Sequence, residues 1–143
     1  MILYLGNKVS SHGLTPTAME ELVPKLSIKY DIIGASSKKN IILRFIHMNY
    51  LFFYNIRKIS LIIIDVFSSK AFFFAIFFGI LSKILSIPYL TIVRGGNLEK
   101  RMNMNPRFTN FLFNNSAINI SPSKFLLKVL LDKGHHVKSI PNF

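Results

Sequence analysis

Short apolar runs alternate along the chain with longer segments in which apolar residues recur at helical spacing. The first run, Ile2–Gly6, is followed by a polar loop and by apolar residues at i, i+3, i+4 and i+7, namely Met19, Leu22, Val23 and Leu26. A second run, Tyr30–Ala35, has the length and β-branched content of a strand. The opening therefore predicts a strand, a loop, a helix and a second strand.

The same alternation continues to the end of the chain. Four further strands are predicted, at Ser60–Val66, Pro88–Val93, Ala117–Ser121 and His136–Ile140. Four further helices are predicted, at Ile41–Ile56, Lys70–Leu85, Pro106–Asn115 and from Ser121 to Lys133. The pairs Thr15-Pro16 and Ser121-Pro122 predict helix starts, and Gly134 predicts a helix stop.

Strands that alternate with helices and are apolar throughout are typical of a parallel sheet covered by helices. The pattern predicts an α/β fold: a doubly wound, Rossmann-like parallel sheet of about six strands with helices on both faces. Such sheets bind ligands beyond the carboxyl ends of their strands. Functional residues are therefore expected in the loops that follow the strands.

Composition adds a strong positive charge to this picture. The 143 residues are 50% hydrophobic and include 18 Lys and Arg against 6 Asp and Glu, a formal net charge of +12. The apolar content predicts a folded core. The charge suits an anionic membrane surface or a phosphorylated ligand, with a solvated basic surface as the alternative. No long basic block or tail is present, and no nucleic-acid partner is expected.

Two kinds of site are excluded or not expected. The chain has no cysteine, which excludes disulfides, thiol catalysis and cysteine–zinc sites. Its four histidines form no i, i+4 pair with a partner carboxylate, so no metal is predicted.

The loop after strand 1 reads NKVSSHGLT and is a candidate anion or sugar site. Gly13 allows close backbone approach, His12 is a candidate ligand contact, and the following helix start offers N–H groups. The loop lacks the GxGxxG and P-loop patterns, so neither a dinucleotide nor a Walker-type site is indicated. A plain glycine turn is the alternative.

Two later strands also end in candidate residues. Asp65 closes an apolar run, where it is expected either to accept a hydrogen bond from a ligand or to cap the next helix or pair with a lysine. In the segment PYLTIVRGGN, Arg94 matches phosphate or carboxylate oxygens, while Gly95 and Gly96 would bring a ligand to the backbone. Asn97 adds a donor and an acceptor. A glycine turn with a solvated arginine is the alternative.

After strand 5, Ser121 is predicted to cap a helix, and Ser123 is a candidate ligand contact.

The helix predicted at 41–56 carries two apolar stripes. One is expected to cover the sheet: Ile42, Phe45, Ile46, Phe52, Phe53 and Ile56. The other, flanked by lysine and arginine, suits a membrane interface or burial against a neighbouring helix or subunit: Leu43, His47, Tyr50, Leu51 and Tyr54. The most apolar segment, Ala71–Leu81, is too short to span a membrane and is expected to be a core helix.

Taken in order, the segments ILYLGNKVSSHGLTPT, ASSKKN, LIIIDVFSS, IPYLTIVRGGN, FLFNNSAINISPS and SIPNF resemble the N-terminal, acceptor-side domain of family 4 glycosyltransferases of the GT-B fold. The resemblance covers nearly the whole chain. It implies a domain at 1–140 and the start of an inter-domain hinge at 141–143. It implies that Gly13 faces donor phosphates and sugar, although the family's paired glycines are absent. Arg94 stands near a cleft histidine of the family, so that histidine's role has no counterpart here.

The resemblance also implies a second domain, which in the family binds most of the nucleotide. No Glu-x7-Glu pair occurs in this chain, and its last glutamate is Glu99. The implied function is half of a metal-independent, retaining transferase that uses a nucleotide sugar and a lipid-linked or polysaccharide acceptor at the cytoplasmic membrane face. No separate cofactor is expected, and the isolated chain is expected to be inactive. The alternatives are a binding module for a phosphorylated ligand and a small membrane-associated protein.

Overall fold

The computed structural model describes residues 1–8, 10, 13 and 15–141. Within them the strands are β1 Ile2–Leu5, β2 Ile32–Ala35, β3 Leu61–Phe67, β4 Tyr89–Arg94, β5 Ile118–Ser121 and β6 Val137–Ser139. The helices are α1 Ala18–Ser27, α2 Ile41–Asn55, α3 Phe72–Ile84, α4 Leu98–Met104, α5 Pro106–Asn115 and α6 Lys124–Asp132.

The six strands form one parallel sheet in the order β2-β1-β3-β4-β5-β6. The chain adds β2 on one side of β1 and the remaining strands on the other, and the sheet does not close on itself. The predicted α/β, Rossmann-like fold is confirmed. The short helix α4 was not predicted, because its sequence, LEKRMNM, is largely polar and too short to show a helical period.

Two compact parts can be described separately, Met1–Ile63 and Ile64–Phe143. In the first, β1 and β2 pair from Ile2 with Ile32 to Leu5 with Ala35. Leu3, Met19 and Phe52 are fully or almost fully buried, so this part has an apolar core of its own.

The helix α1 begins two residues later than the sequence predicted. Thr17, not Thr15, is its N-cap: the Thr17 hydroxyl accepts from the Glu20 N–H, and the Glu20 carboxylate accepts from the Thr17 N–H in a capping box. Proline at the first helical position is only a preference, whereas a threonine three residues before a glutamate satisfies two backbone donors.

In the second part, β4 pairs with β5 and β5 with β6. The Tyr89 hydroxyl donates to the Leu112 carbonyl of α5 at 2.6 Å, and the buried Thr91 hydroxyl donates to Asn119 at 2.6 Å. Side chains alternate along a strand, so Tyr89 and Thr91 face α5 and Arg94 lies on the opposite face of β4.

The predicted cap of the last helix was also two residues early. Ser123 caps α6 by accepting from the Leu126 N–H at 3.2 Å. Ser121 is instead the last residue of β5, fully buried, and its hydroxyl donates to the Ser123 carbonyl. Pro122 therefore lies in the turn between strand and helix.

The prediction that one stripe of α2 covers the sheet was only partly right. The buried residues of α2 are Met48, Phe52 and Asn55. Three members of the predicted sheet-facing stripe are exposed instead: Ile42, Ile46 and Phe53. In the other stripe, His47 and Leu51 are half-buried. At 100° per residue the two predicted stripes occupy separate arcs of the helix, and the buried residues lie at the edge of the first stripe that includes Phe52.

Candidate functional site

The carboxyl ends of β1 and β2 are joined by backbone and side-chain hydrogen bonds. The Gly6 N–H donates to the Ala35 carbonyl at 2.7 Å, and the Ser36 N–H donates back to Gly6 at 3.0 Å. Next along the chain, the carbonyl of Asn7 accepts from the Thr17 hydroxyl at 2.5 Å. The backbone after β1 is thus held at a defined position beside the start of α1.

Arg44, in the first turns of α2, reaches this strand end. Its guanidinium donates to Asn7 Oδ1 at 2.9 Å, to the Lys38 carbonyl at 2.9 Å and to the Lys39 carbonyl at 3.3 Å. All three acceptors are neutral oxygens, and they occupy three of the five guanidinium N–H groups. Partial burial lowers the pKa of Arg44 from its ordinary value, because desolvation penalises the charged form.

A serine–histidine contact lies at the end of β2. The Ser36 hydroxyl and His47 Nδ1 are 2.7 Å apart, and the Lys38 N–H donates to the same hydroxyl at 3.3 Å. Ser36 is almost fully buried and His47 is half-buried. This contact fixes the basic connection between β2 and α2, whose carbonyls hold Arg44.

At the ends of β3 and β4, two of the predicted candidates bind each other. Arg94 Nε lies 3.2 Å from Asp65 Oδ1, and the two side chains are 15% and 1% exposed. Asp65 lies within β3, and its described ion-pair partner is Arg94. Where the sequence suggested a lysine as the alternative to a ligand contact, the described partner of Asp65 is an arginine.

The two glycines after Arg94 differ in what they require. Gly95 has φ of +89°, and a Cβ there would lie 2.7 Å from the Ser68 hydroxyl oxygen. Gly96 has no atom within 4 Å of such a Cβ and is exposed. Gly95 is needed for the turn, whereas Gly96 leaves open space beside the backbone. Asn97 is exposed at the N-cap of α4 and makes no capping hydrogen bond.

A shallow pocket of about 280 Å³ adjoins this turn, lined by Ser68, Asn97, Lys100, Arg101 and Met104. Arg101 Nε donates to the Ser68 carbonyl at 3.0 Å, and its guanidinium lies 5.7 Å from the Phe73 ring centroid. Two cations, a hydroxyl and an amide therefore surround a space large enough for a phosphate-sized anion.

The remaining predicted site residues are not brought into this pocket. Gly13 is exposed, with φ of +76°, and a Cβ added there would have no described atom within 4 Å. Ser123 caps α6. His12 lies outside the described residues.

A larger pocket, of about 510 Å³, opens at the amino ends of β5 and β6, where Ala117, His136 and Lys138 are among the lining residues. Ligands of parallel α/β sheets bind at the opposite, carboxyl edge. This pocket is therefore not the expected site.

Comparison with known proteins found no matching protein-family model, no matching curated protein and no matching solved structure. Across the part of the chain that the structure describes, no group of three or more His, Asp or Glu side chains is placed to hold a metal ion. No helix in the described residues has the length and hydrophobicity needed to cross a bilayer.

Sequence reasoning missed Arg44, Asn7, Ser36 and His47 as members of one polar cluster. His47 was placed in a stripe for a membrane interface or a neighbouring helix, and Arg44 was counted among the basic residues that flank it, although their i, i+3 spacing places them on neighbouring positions of one face. The available signal was that Asn7 and Ser36 are polar residues within two positions of the ends of two apolar strands.

Proposed function

We propose that this chain is the acceptor-side half of a glycosyltransferase that moves a sugar from a nucleotide-sugar donor to a lipid-linked or polysaccharide acceptor. Its support is the Rossmann-like parallel sheet together with the position of the segments that carry the family resemblance. GNKVSS, ASSKKN, DVFSS and RGGN all fall at or just after the ends of β1 to β4. That is the edge at which such sheets bind ligands.

The proposal rests most on the position of the Arg44 guanidinium beside the end of β1. A nucleotide sugar brings a diphosphate whose negative charge grows as the glycosidic bond to the sugar breaks, and a fixed cation stabilises that charge. Arg44 is held beside the strand 1 loop by neutral acceptors and keeps two guanidinium N–H groups beyond its described bonds. In this proposal Arg44 contacts the donor diphosphate.

Arg94 has a different role in the proposal. Its charge is already opposed by the buried carboxylate of Asp65, so it positions the Gly95–Gly96 turn. Gly96 and Asn97 then present backbone and amide groups to the substrate.

The reaction needs a second domain or a partner chain, which supplies the nucleotide-binding residues. In the proposal the enzyme needs no metal, transfers with retention and works at the cytoplasmic face of the membrane. The 143 residues alone are expected to show no sugar transfer, and measurable transfer by them would overturn the half-site interpretation.

A binding module for a phosphorylated ligand is the second candidate function, and the pocket formed by Ser68, Asn97, Lys100 and Arg101 favours it. Its two cations and two neutral polar groups suit a phosphate group, whether or not a sugar is attached to it.

Titration of ¹⁵N-labelled protein separates the candidates, with inorganic pyrophosphate and then UDP-glucose, UDP-N-acetylglucosamine and GDP-mannose as probes. The glycosyltransferase proposal predicts that at least one nucleotide sugar shifts amides at residues 6–8 and 36–40 more than pyrophosphate does. Equal shifts from all four probes around residues 97–101 would support the binding module instead. The absence of any shift at millimolar concentration would contradict both.

A further inference from the structure

The outward face of α2 is apolar and has no partner within the described structure. It consists of six residues that are between 53% and 74% exposed: Ile42, Leu43, Ile46, Tyr50, Phe53 and Tyr54. At 100° per residue these side chains cover an arc of about 120° around the helix, and no charged residue of the helix falls inside it. This face is named the α2 apolar face below.

The side-chain amides of Asn49 and Asn55 in α2 are hydrogen-bonded within the helix itself. The Asn49 side chain, at the edge of the α2 apolar face, donates to the Phe45 carbonyl at 2.8 Å within the same helix. The Asn55 side chain donates to the Leu51 carbonyl at 2.9 Å in the same way. Because these amides are satisfied by their own helix, the surface offers apolar contact rather than a pattern of directed hydrogen bonds.

The charged residues next to α2 in the sequence are all basic. No Asp or Glu occurs between Asp31 and Asp65. Four exposed cations lie just beyond the two ends of the helix: Lys38, Lys39, Arg57 and Lys58. An apolar helix face bounded by cations is complementary to a bilayer surface that contains anionic lipids.

The same charge disfavours a second copy of this chain as the occupant. Packing two α2 apolar faces together would bring two sets of four cations close to each other with no acid on either helix, and like charges at an interface oppose association. A bilayer brings phosphate groups to those cations instead.

The two tyrosines of the α2 apolar face also suit a bilayer surface. Tyr50 and Tyr54 stack with ring centroids 5.6 Å apart on the exposed surface. Tyrosine suits the boundary of a bilayer because its ring is apolar and its hydroxyl stays hydrated. A helix of 15 residues is too short to cross the bilayer, so α2 would lie in the plane of the surface.

We infer that α2 binds the chain to the surface of membranes that contain anionic lipids, with Ile42, Ile46, Tyr50 and Phe53 entering the headgroup boundary and Lys38, Lys39, Arg57 and Lys58 contacting lipid phosphates. This inference does not depend on sugar transfer, so either proposal can fail without the other.

The test is co-sedimentation of the 143-residue chain with vesicles of phosphatidylcholine alone and of phosphatidylcholine with phosphatidylglycerol, about a third of the lipid being anionic so that the surface potential is substantial. The wild type is expected to bind the anionic vesicles at least tenfold more tightly. Ile46→Glu with Phe53→Glu is expected to weaken that binding more than tenfold, since it puts two charges into the apolar arc. Arg57→Gln with Lys58→Gln is expected to weaken it roughly fivefold per cation removed.

A matched control is available on another helix. Phe125 of α6 is 55% exposed, close to the 53% of Phe53, so Phe125→Glu makes the same chemical change away from the α2 apolar face. It is expected to leave vesicle binding unchanged. Because all substituted side chains are exposed, each variant is expected to keep the wild-type fold. Circular dichroism of each variant checks this.

Three results would overturn the inference. One is equal binding by wild type and the Ile46→Glu, Phe53→Glu variant. Another is equal binding to neutral and anionic vesicles. The third is a concentration-dependent dimer in sedimentation equilibrium that the same double substitution abolishes, since the α2 apolar face would then be a contact between copies.

Discussion

Arg94 and Arg44 each lie close to the carboxyl end of a strand, and their described partners differ in charge. Arg94, at the end of β4, contacts the buried carboxylate of Asp65 at 3.2 Å. Arg44, beside the end of β1, is held in its described contacts by an amide oxygen and two backbone carbonyls, all neutral. The first cation is part of a buried ion pair, whereas the described contacts of the second include no negatively charged group.

These surroundings change which arginine is expected to bind a ligand. Position at a sheet's carboxyl edge pointed to Arg94, because that edge is where ligands bind. The pairing with Asp65 gives Arg94 a structural contact, and removing one partner of a buried ion pair is strongly destabilising. Position at the sheet edge therefore shows only that a charged residue lies near the expected ligand site. Whether its charge faces a ligand depends on the groups that it contacts.

The largest effect is expected from Arg94→Ala. It leaves the Asp65 carboxylate, 1% exposed, without its cation, and should lower the free energy of unfolding by about 3–5 kcal/mol. Urea denaturation measures this, with the exposed Arg107→Ala as the control expected within about 0.5 kcal/mol of wild type. Adding Asp65→Asn should recover more than half of the loss. A stable Arg94→Ala protein would mean that Arg94 is as available as Arg44.

A smaller loss is expected from Gly95→Ala, about 1–3 kcal/mol, because φ of +89° and the contact with Ser68 both oppose a side chain. The neighbouring Gly96→Ala is the matched control and should change stability by no more than about 0.5 kcal/mol, since its methyl group would meet open space. Thermal unfolding followed by circular dichroism compares the two. Equal losses of stability in Gly95→Ala and Gly96→Ala would contradict this account, because only Gly95 has the positive φ and the contact with Ser68.

Arg44→Ala is expected to cost about 1–2 kcal/mol in unfolding free energy, because the hydrogen bonds it loses leave partly solvated neutral acceptors. It is also expected to weaken pyrophosphate binding by roughly tenfold or more, as expected for a lost charge-assisted contact. Isothermal titration calorimetry measures the second quantity. Unchanged pyrophosphate affinity would remove the distinction drawn between Arg44 and Arg94.

Thr17→Ala is expected to have the smallest effect, about 1 kcal/mol, through loss of the α1 cap and of the hydroxyl bonded to the Asn7 carbonyl. Thr15→Ala, at the exposed position where the sequence placed the cap, should stay within about 0.5 kcal/mol of wild type. Urea denaturation of both variants decides the point, and the reverse order of the two losses would restore the sequence-based cap.

The sheet was predictable because its strands are continuous apolar runs, each bounded by turn residues, as in Ser60–Val66. Two helix starts were predicted two residues early, because Thr15-Pro16 and Ser121-Pro122 each have a second capping residue two positions on, and it is Thr17 and Ser123 whose hydroxyls accept the N–H groups. The position of a helix N-cap depends on which hydroxyl reaches a free backbone N–H of the first turn. The residue types alone do not show which hydroxyl does so.

The candidate site was only partly predictable for a related reason. Asp65 and Arg94 were each identified by their positions, but their contact spans 29 residues and depends on two neighbouring strands placing both side chains on one face. Arg44 was overlooked because it was counted only among the basic residues flanking an apolar stripe, whereas its guanidinium donates to the carbonyls of Lys38 and Lys39 and to Asn7. Long-range pairing of this kind is fixed by the fold rather than by local sequence pattern.

The contrast between the two arginines is tested most directly by following the side-chain Nε–H resonances of Arg44 and Arg94 by ¹H–¹⁵N NMR while a nucleotide sugar is added, with assignments from the Arg44→Gln and Arg94→Gln variants. We predict a large shift for Arg44, because a diphosphate that contacts its remaining Nη N–H groups changes the environment of the whole guanidinium, and little change for Arg94, whose charge is already opposed by the carboxylate of Asp65. A shift confined to Arg94 would contradict this assignment, since the ion pair would then have opened to bind the ligand.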